Sequence, residues 1–165
     1  MRKQFFTIII CIGCYFTTSP AFAEGWNMGF KLAYFEPDET DVSSADNAGI
    51  VLGYDWVQSY GVVGIESDFT TSFIDGSIND QDFSVNTLAA FATYKTIGPS
   101  KGLGAYLKLK AGAMYYDIDA NGTQSKSELE PAFGVGAGMN MGVVSFELDY
   151  TITKDVEMVC LTILF

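Results

Sequence analysis

The sequence predicts an all-β fold, an eight-stranded antiparallel up-and-down transmembrane β-barrel, and three observations lead to it. Apolar and polar residues alternate with period two in eight successive runs, as they do in strands with one apolar face. No apolar run reaches the ~20 residues that a membrane-spanning helix needs. The chain stops at Phe165 on an alternating run, and an aromatic end is typical of the strand that closes a membrane barrel.

The first element is an export signal over residues 1–23. A basic start precedes a mostly apolar core, and a small-x-small site ends at Ala23, directly before Glu24. We expect cleavage there after export through the general secretion pathway, which leaves a barrel domain over 24–165. A lipid anchor on Cys14 is the alternative, although the residue three positions before it is a cysteine where such signals prefer leucine.

The eight runs follow in order, and each has about the 9–11 residues of a tilted transmembrane strand. Residues 82–95 are ambiguous, but an outward Leu88 places Lys95 inside. The apolar faces lie within 26–34, 48–56, 63–69, 88–94, 103–115, 129–139, 144–152 and 159–165. On the last run, one face carries Val159, Leu161, Ile163 and Phe165, which we expect to be the assembly signal.

The connections alternate in length, as they do in outer-membrane barrels with long outer loops and short periplasmic turns. The predicted loops are 36–46, 71–81 and 117–127, the predicted turns are 57–61, 96–102 and 140–142, and a short outer connection covers 153–155. Aromatic residues that suit the membrane interface lie near the strand ends. These are Trp26, Tyr34, Tyr54, Trp56, Tyr94, Tyr115 and Tyr150.

Charge and composition exclude several functions. Residues 1–23 hold two of the nine basic residues, so the mature chain keeps seven lysines and all 20 acidic residues, a formal charge of −13. Such a chain would repel phosphate backbones, which excludes nucleic acid as a partner. Cys160 is the one cysteine of the mature chain, so no intrachain disulfide forms, and histidine is absent.

Alternation does not say which face points inward. A soluble lipocalin-like or avidin-like barrel would place its apolar face inside. The glycines favour the membrane barrel, because they share the charged face and would leave room in a narrow lumen for a few long polar side chains. These glycines are Gly29, Gly49, Gly53, Gly64, Gly112, Gly134, Gly136 and Gly138.

Three stretches resemble the small outer-membrane β-barrel family of opacity-type and outer-membrane-protein-A-like bacterial proteins. They are GVVGIESDFTTSF, YLKLKAGAMYYDIDANG and FGVGAGMNMGVVSFELDYT. The resemblance covers 24–165 and implies a Gram-negative outer membrane with its lipid and lipopolysaccharide, and insertion by the barrel-assembly machinery through the last strand. It does not imply cell-wall anchoring, because the chain lacks the peptidoglycan-binding domain of some relatives.

A charged lumen is predicted from the inward residues of the odd strands. Lys31, Glu66, Lys108 and Glu147 form a layer of alternating sign, and Asp68, Lys110 and Asp149 repeat it one pleat higher. Buried charges are costly unless they are paired. We therefore expect a side-chain-filled polar plug, since eight strands leave no pore; a gated proton or ion path is the alternative.

Neither catalysis nor metal binding is expected. Glu66 and Asp68 lie on adjacent pleats of one face, which also describes a lumen ion-pair network, and no histidine is present for a hydrolase. One calcium-loop motif runs from Asp117 to Glu128. Its ligand positions include Asp117, Asp119, Asn121, Thr123 and Glu128. The flanking runs are strands, so we interpret it as a hairpin tip.

The predicted function is that of a structural, surface-exposed outer-membrane protein without cofactor or enzymatic activity. The alternatives are an adhesin that binds an unidentified ligand through loops 36–46, 71–81 and 117–127, and a narrow gated channel. An acidic first loop with Glu36, Asp38, Glu39, Asp41 and Asp46 could collect divalent cations near lipopolysaccharide, though solvated loop charge is the favoured interpretation.

Overall fold

The structure is a computed structural model and describes residues 24–37, 43–78, 81–96, 103–120 and 126–165. The export signal predicted over 1–23 lies outside the described residues. The strands are β1 (Gly25–Pro37), β2 (Ala45–Gln58), β3 (Gly61–Ile74), β4 (Gly76–Ile78), β5 (Gln81–Lys95), β6 (Leu103–Ala120), β7 (Lys126–Met141), β8 (Val144–Ile152) and β9 (Val156–Leu164).

Eight long strands form one closed antiparallel sheet. Each pairs with its neighbour along the chain, and β1 pairs with β9 to close the barrel, while the three-residue β4 extends the hairpin between β3 and β5. The predicted eight-stranded barrel is therefore confirmed. Among the described residues, no helix is long and apolar enough to cross a membrane.

The strands are strongly staggered. If cross-strand partners are followed around the barrel from Ala105 on β6, through β7, β8, β9, β1, β2, β3 and β5, the path returns to β6 at Tyr115, ten residues further along. Stagger and strand number together set the tilt, which is roughly 40° to the barrel axis. Residues at equal distances from their strand starts therefore lie at different heights.

The exterior is apolar and the interior is filled. Large outward side chains are exposed, among them Phe30, Ile50, Leu107 and Phe133, whereas the residues between them point inward and are mostly buried. The arrangement is therefore opposite to that of a soluble barrel, because the wide band of apolar side chains lies on the outer surface. Trp26 and Tyr54 meet edge to face at 5.3 Å, and Tyr54 and Trp56 lie 4.8 Å apart, near one end of that band.

Two ends of the barrel can be distinguished. The turn end carries the connections 59–60 and 142–143, together with the end of β5 and the start of β6, and the opposite strand ends form the loop end. Gly142 adopts a φ of 76° in its turn, a left-handed conformation that glycine adopts without steric cost. This turn lies at 142–143, slightly beyond the predicted 140–142.

The strands at the loop end are longer than predicted. Most of the predicted loop 71–81 is strand, because β3 continues to Ile74 and β4 pairs with the start of β5. The predicted loop 117–127 is shortened from both sides, since β6 runs to Ala120 and β7 begins at Lys126. The predicted loop 36–46 loses its ends to β1 and β2, and its residues 38–42 lie outside the described residues. Polar turn residues marked these segments as loops, but cross-strand pairing extends through them.

Candidate functional site: the barrel interior

Lys108 is the centre of the charged interior. Its Nζ lies 2.5 Å from Glu66 Oε2 and 2.6 Å from Glu147 Oε2, and its side chain is almost completely buried. Tyr106, one inward position before Lys108 on β6, donates a hydrogen bond of 2.6 Å to Glu147 Oε1. One ammonium group thus joins carboxylates from β3 and β8, which lie on opposite sides of the lumen.

Three further lysines complete the ion pairs of the turn-end half. Lys31 contacts Asp68, and its Nζ lies 3.9 Å from Glu66 Oε1. Lys110 Nζ lies 2.5 Å from Asp149 Oδ1 and 4.7 Å from the centre of the Phe91 ring. Because burying an unpaired ion is costly, these contacts are what allow the charges to lie inside.

Lys95 and Asp55 belong to the same network but were left out of the predicted charge layers. Lys95 Nζ lies 3.1 Å from Asp55 Oδ2 and 3.3 Å from Glu147 Oε1. The signal for both was present in the sequence, because alternation places them on the charged face. They come from β2 and β5, the second and fourth strands of the barrel, whereas the predicted layers were built only from its first, third, fifth and seventh strands.

The heights of the charges differ from the level layers expected from the sequence. Lys31 was expected beside Glu66, and its Nζ does lie 3.9 Å from Glu66 Oε1, but its closer partner is Asp68, one pleat further along β3. The stagger of the barrel is the reason, since each strand is displaced along the axis relative to the next. Counting residues from the strand start therefore places Lys31 too low.

Glycines on β7 make space for these side chains. A Cβ atom on Gly134 would lie 2.5 Å from Cε of Lys110, and one on Gly138 would overlap the Tyr106 ring. The inward face of β7 thus carries glycines, without side chains, where the long side chains of Lys110 and Tyr106 on β6 need space. This arrangement accounts for the row of glycines beside charges in the sequence.

The loop-end half of the interior is mixed: an apolar cluster lies beside the buried polar residues Asn47, Thr70, Thr87 and Glu130, so the expected polar lumen is only partly polar here. Phe35 and Tyr116 are 0 % exposed, and their rings meet at 6.5 Å. The other buried apolar residues around them are Ala33, Ala45, Phe83, Val85, Ala89, Phe91, Met114, Ala132, Val156, Met158 and Cys160. We call this cluster the apolar plug. The prediction rested on the few charged residues of the inward face and overlooked the apolar residues among its loop-end positions.

Acidic residues surround the loop end. Glu128, Glu130 and Asp155 bring one carboxylate oxygen each within 4.8 Å of one another. Glu130 accepts hydrogen bonds from the backbone N–H groups of Lys154 and Asp155 at 3.1 and 3.3 Å. Lys126 donates to Asp155 at 3.0 Å, and this contact holds the pKa of the Asp155 carboxyl group below its ordinary value. These carboxylates therefore have partners in the protein.

The two ends of the calcium-loop motif lie in paired strands. Asp117 and Asp119 belong to β6, Glu128 belongs to β7, and Ser127 donates a hydrogen bond of 2.5 Å to Asp117 across the pair. Asn121 and Thr123 lie outside the described residues. The strand geometry at both ends is that of a β-hairpin and differs from the helix-flanked calcium loop. Of the acidic first loop, Glu36 lies in β1 and Asp46 lies in β2, while Asp38, Glu39 and Asp41 lie outside the described residues.

The last strand places its predicted signal residues outward. Val159 and Leu161 are exposed, and Ile163 and Phe165 are half-buried. The backbone of Phe165 pairs with that of Met28, and its ring lies 6.2 Å from Phe30. Cys160 faces inward and is buried as a free thiol. The final residues therefore lie at the seam where the barrel closes.

Solved structures with the same fold are outer-membrane proteins. The attachment invasion locus protein Ail of Yersinia pestis, solved in complex with the heparin analogue sucrose octasulfate, matches with a TM-score of 0.56 and 16% identity over 86% of this chain and 94% of that one. Neisserial surface protein A matches with a TM-score of 0.57 and 15% identity over 85% of this chain and 94% of that one. No curated protein matches the sequence. At these identities, the likeness establishes the fold alone.

A family model gives the stronger result, because it matches the sequence itself. The model describes an outer membrane protein β-barrel domain and matches residues 9–157. This range includes every barrel strand except β9, of which it covers only the first two residues. With its closed eight-stranded sheet, apolar exterior and charged interior, the chain belongs to the outer membrane protein β-barrel domain family of Gram-negative bacteria.

Proposed function

We propose that this protein is a structural, surface-exposed component of the outer membrane whose lumen is closed. The observation that carries the proposal is the two-part filling of the interior. In the turn-end half, Lys108 joins Glu66 and Glu147 across the lumen. In the loop-end half, the apolar plug holds Phe35 and Tyr116 without solvent exposure. To cross the lumen, an ion would have to break the ion pairs of the turn-end half and lose its water shell to pass the apolar plug.

Planar-bilayer conductance tests the closed lumen and separates it from the gated channel. We expect no ion conductance from the refolded wild-type protein over a wide voltage range. The double variant Phe35→Ala, Met114→Ala removes two buried side chains from the plug, and it should also remain silent while the ion pairs are intact. Reproducible single-channel steps in the wild type would refute the plug and support the channel.

The membrane partners follow from the exterior and from the last strand. Exposed side chains such as Phe30, Leu107 and Phe133 suit contact with lipid and lipopolysaccharide chains. Val159, Leu161, Ile163 and Phe165 form the outward face of β9, and we assign them to recognition by the barrel-assembly machinery. The export signal over 1–23 would deliver the chain through the general secretion pathway. This combination agrees with a structural role, for which stable insertion in the outer membrane is sufficient.

Surface binding is the second candidate, and the charge of the loop end determines what would bind. Ail, a structural neighbour, was solved with a polyanionic heparin analogue. The loop end of this protein is acidic instead: its described carboxylates include Glu36, Asp46, Asp75, Asp82, Asp117, Asp119, Glu128, Glu130, Asp155 and Glu157, against Lys126 and Lys154. Such a surface would repel a sulfated polysaccharide and attract a cationic partner.

Whole-cell binding distinguishes the two candidates. Cells that display the protein should bind a fluorescent oligolysine more strongly than cells that lack it, and should not bind sulfated heparin beads. A second variant replaces residues 38–42 and 121–125 by short glycine-serine linkers, which leaves every strand intact. If binding of a host cell or phage is lost in this variant while barrel levels are unchanged, the loops are the functional part.

A further inference from the structure

The turn-end half of the interior contains one more negative charge than positive charge. Among the residues that the structure describes, the buried charges of the turn-end half comprise five carboxylates and four ammonium groups. These are Asp55, Glu66, Asp68, Glu147 and Asp149, and Lys31, Lys95, Lys108 and Lys110. With every group ionised, the layer has a net charge of −1. A lone uncompensated charge in a low-dielectric interior is strongly unfavourable.

Three buried oxygen atoms of this layer lack a hydrogen-bond partner within the described protein. They are Glu66 Oε1, Asp149 Oδ2 and Thr162 Oγ1. Their residues are 6 %, 2 % and 1 % exposed. Buried polar atoms are nearly always hydrogen-bonded, so each of these three requires an explanation. Two of the three belong to carboxylates, the groups that also carry the excess charge.

The register brings the three residues to one part of the lumen. Thr162 on β9 is the cross-strand partner of Lys31 on β1 and of Glu147 on β8. Glu66 reaches the same two residues: its Oε1 lies 3.9 Å from Lys31 Nζ, and its Oε2 shares Lys108 with Glu147. Asp149 is the next inward residue after Glu147, so it borders this group from the loop side.

We propose that this layer binds one small monovalent cation, of the class of sodium or potassium, between Glu66, Asp149 and Thr162. Oxygen atoms alone are offered, which suits hard cations. A single positive charge neutralises the layer, whereas a divalent ion would leave it positive. A water molecule would satisfy the hydrogen bonds but would leave the charge uncompensated. The site would add a permanent counter-ion to the ion-pair network, independently of any partner at the loops.

Stability measured against the type of cation tests the proposal. The refolded wild-type protein in a zwitterionic detergent is unfolded in urea with sodium, potassium or choline chloride at one ionic strength. Choline is too large for a packed lumen, so stability should rise saturably as sodium or potassium replaces it. At a concentration ten times the dissociation constant, the folding equilibrium should shift about tenfold. Equal stability in all three salts would overturn the proposal.

Two variants and one direct observation complete the test. Thr162→Val removes the hydroxyl group at nearly constant volume, and it should weaken the cation dependence while leaving stability in choline almost unchanged. Thr71→Val, an exposed threonine outside the lumen, is the matched control and should keep the full dependence. Crystals soaked in thallium(I) should show an anomalous peak beside Thr162; its absence, or an unaltered dependence in Thr162→Val, would refute the site.

Discussion

Lys108 on β6 and Glu66 on β3 meet inside the barrel, with Nζ and Oε2 2.5 Å apart, although 42 residues separate them in the chain. The contact forms only when β3, β5 and β6 are side by side in register. It therefore reports on the pairing of these three strands, and local strand structure alone does not produce it. Lys108 also contacts Glu147, so one side chain connects the two halves of the chain.

Replacing Lys108 by methionine should destabilise the barrel strongly. The variant Lys108→Met keeps the length of the side chain but leaves Glu66 and Glu147 buried without their shared cation. Breaking a buried pair in this way costs on the order of 3–5 kcal/mol. The measurement is urea unfolding in detergent micelles or liposomes.

Lys126→Met is the control for this experiment. Lys126 contacts Asp155 and Glu128 at the loop end, where its side chain is 41% exposed, and exposed pairs contribute less than about 1 kcal/mol. Lys101→Met would be a second control, although Lys101 lies outside the described residues. A Lys108 variant as stable as the Lys126 variant would mean that the carboxylates are hydrated.

The folded protein should resist SDS at room temperature. A closed sheet has no free edge along its span, and every strand of the barrel pairs on both sides, so detergent has no end strand from which to begin unfolding. Unboiled samples should migrate differently from boiled ones in an SDS gel, with far-UV circular dichroism typical of β structure. Identical bands with and without boiling would contradict this.

The sequence was sufficient for the strand number, because period-two alternation needs only neighbouring residues, and the glycines on the charged face indicated which face points inward. Which charges meet depends on the stagger of the strands, and no local pattern encodes that quantity. For this reason Lys31 lies closer to Asp68 than to Glu66, its expected partner. The apolar plug was also missed, because the prediction considered only the charged inward residues, although alternation places Phe35 and Met114 on the same inward face.

Cleavage of the precursor should occur between Ala23 and Glu24. The small-x-small pattern ends at Ala23, and β1 begins at Gly25, so cleavage there leaves the first strand complete. Intact-mass measurement of protein isolated from outer membranes gives the answer directly. A mass that includes residues 1–23, or lipid attached to Cys14, would contradict the prediction.

Phe165→Ser should reduce outer-membrane levels of the protein without changing its synthesis. The Phe165 ring lies against Phe30 at 6.2 Å, and its backbone pairs with Met28 at the seam between β1 and β9. The matched control is Phe133→Ser, which removes a lipid-facing ring in the middle of the wall, where the side chain is 58% exposed.

Both variants lose an aromatic ring that faces lipid, but only the first alters the outward face of the last strand. If that face is an assembly signal, pulse-labelled Phe165→Ser protein should accumulate unfolded in the periplasm while Phe133→Ser inserts at a nearly normal rate. Equal insertion rates for the two variants would assign the effect of Phe165 to lipid contact alone and remove the basis for an assembly signal in Val159, Leu161, Ile163 and Phe165.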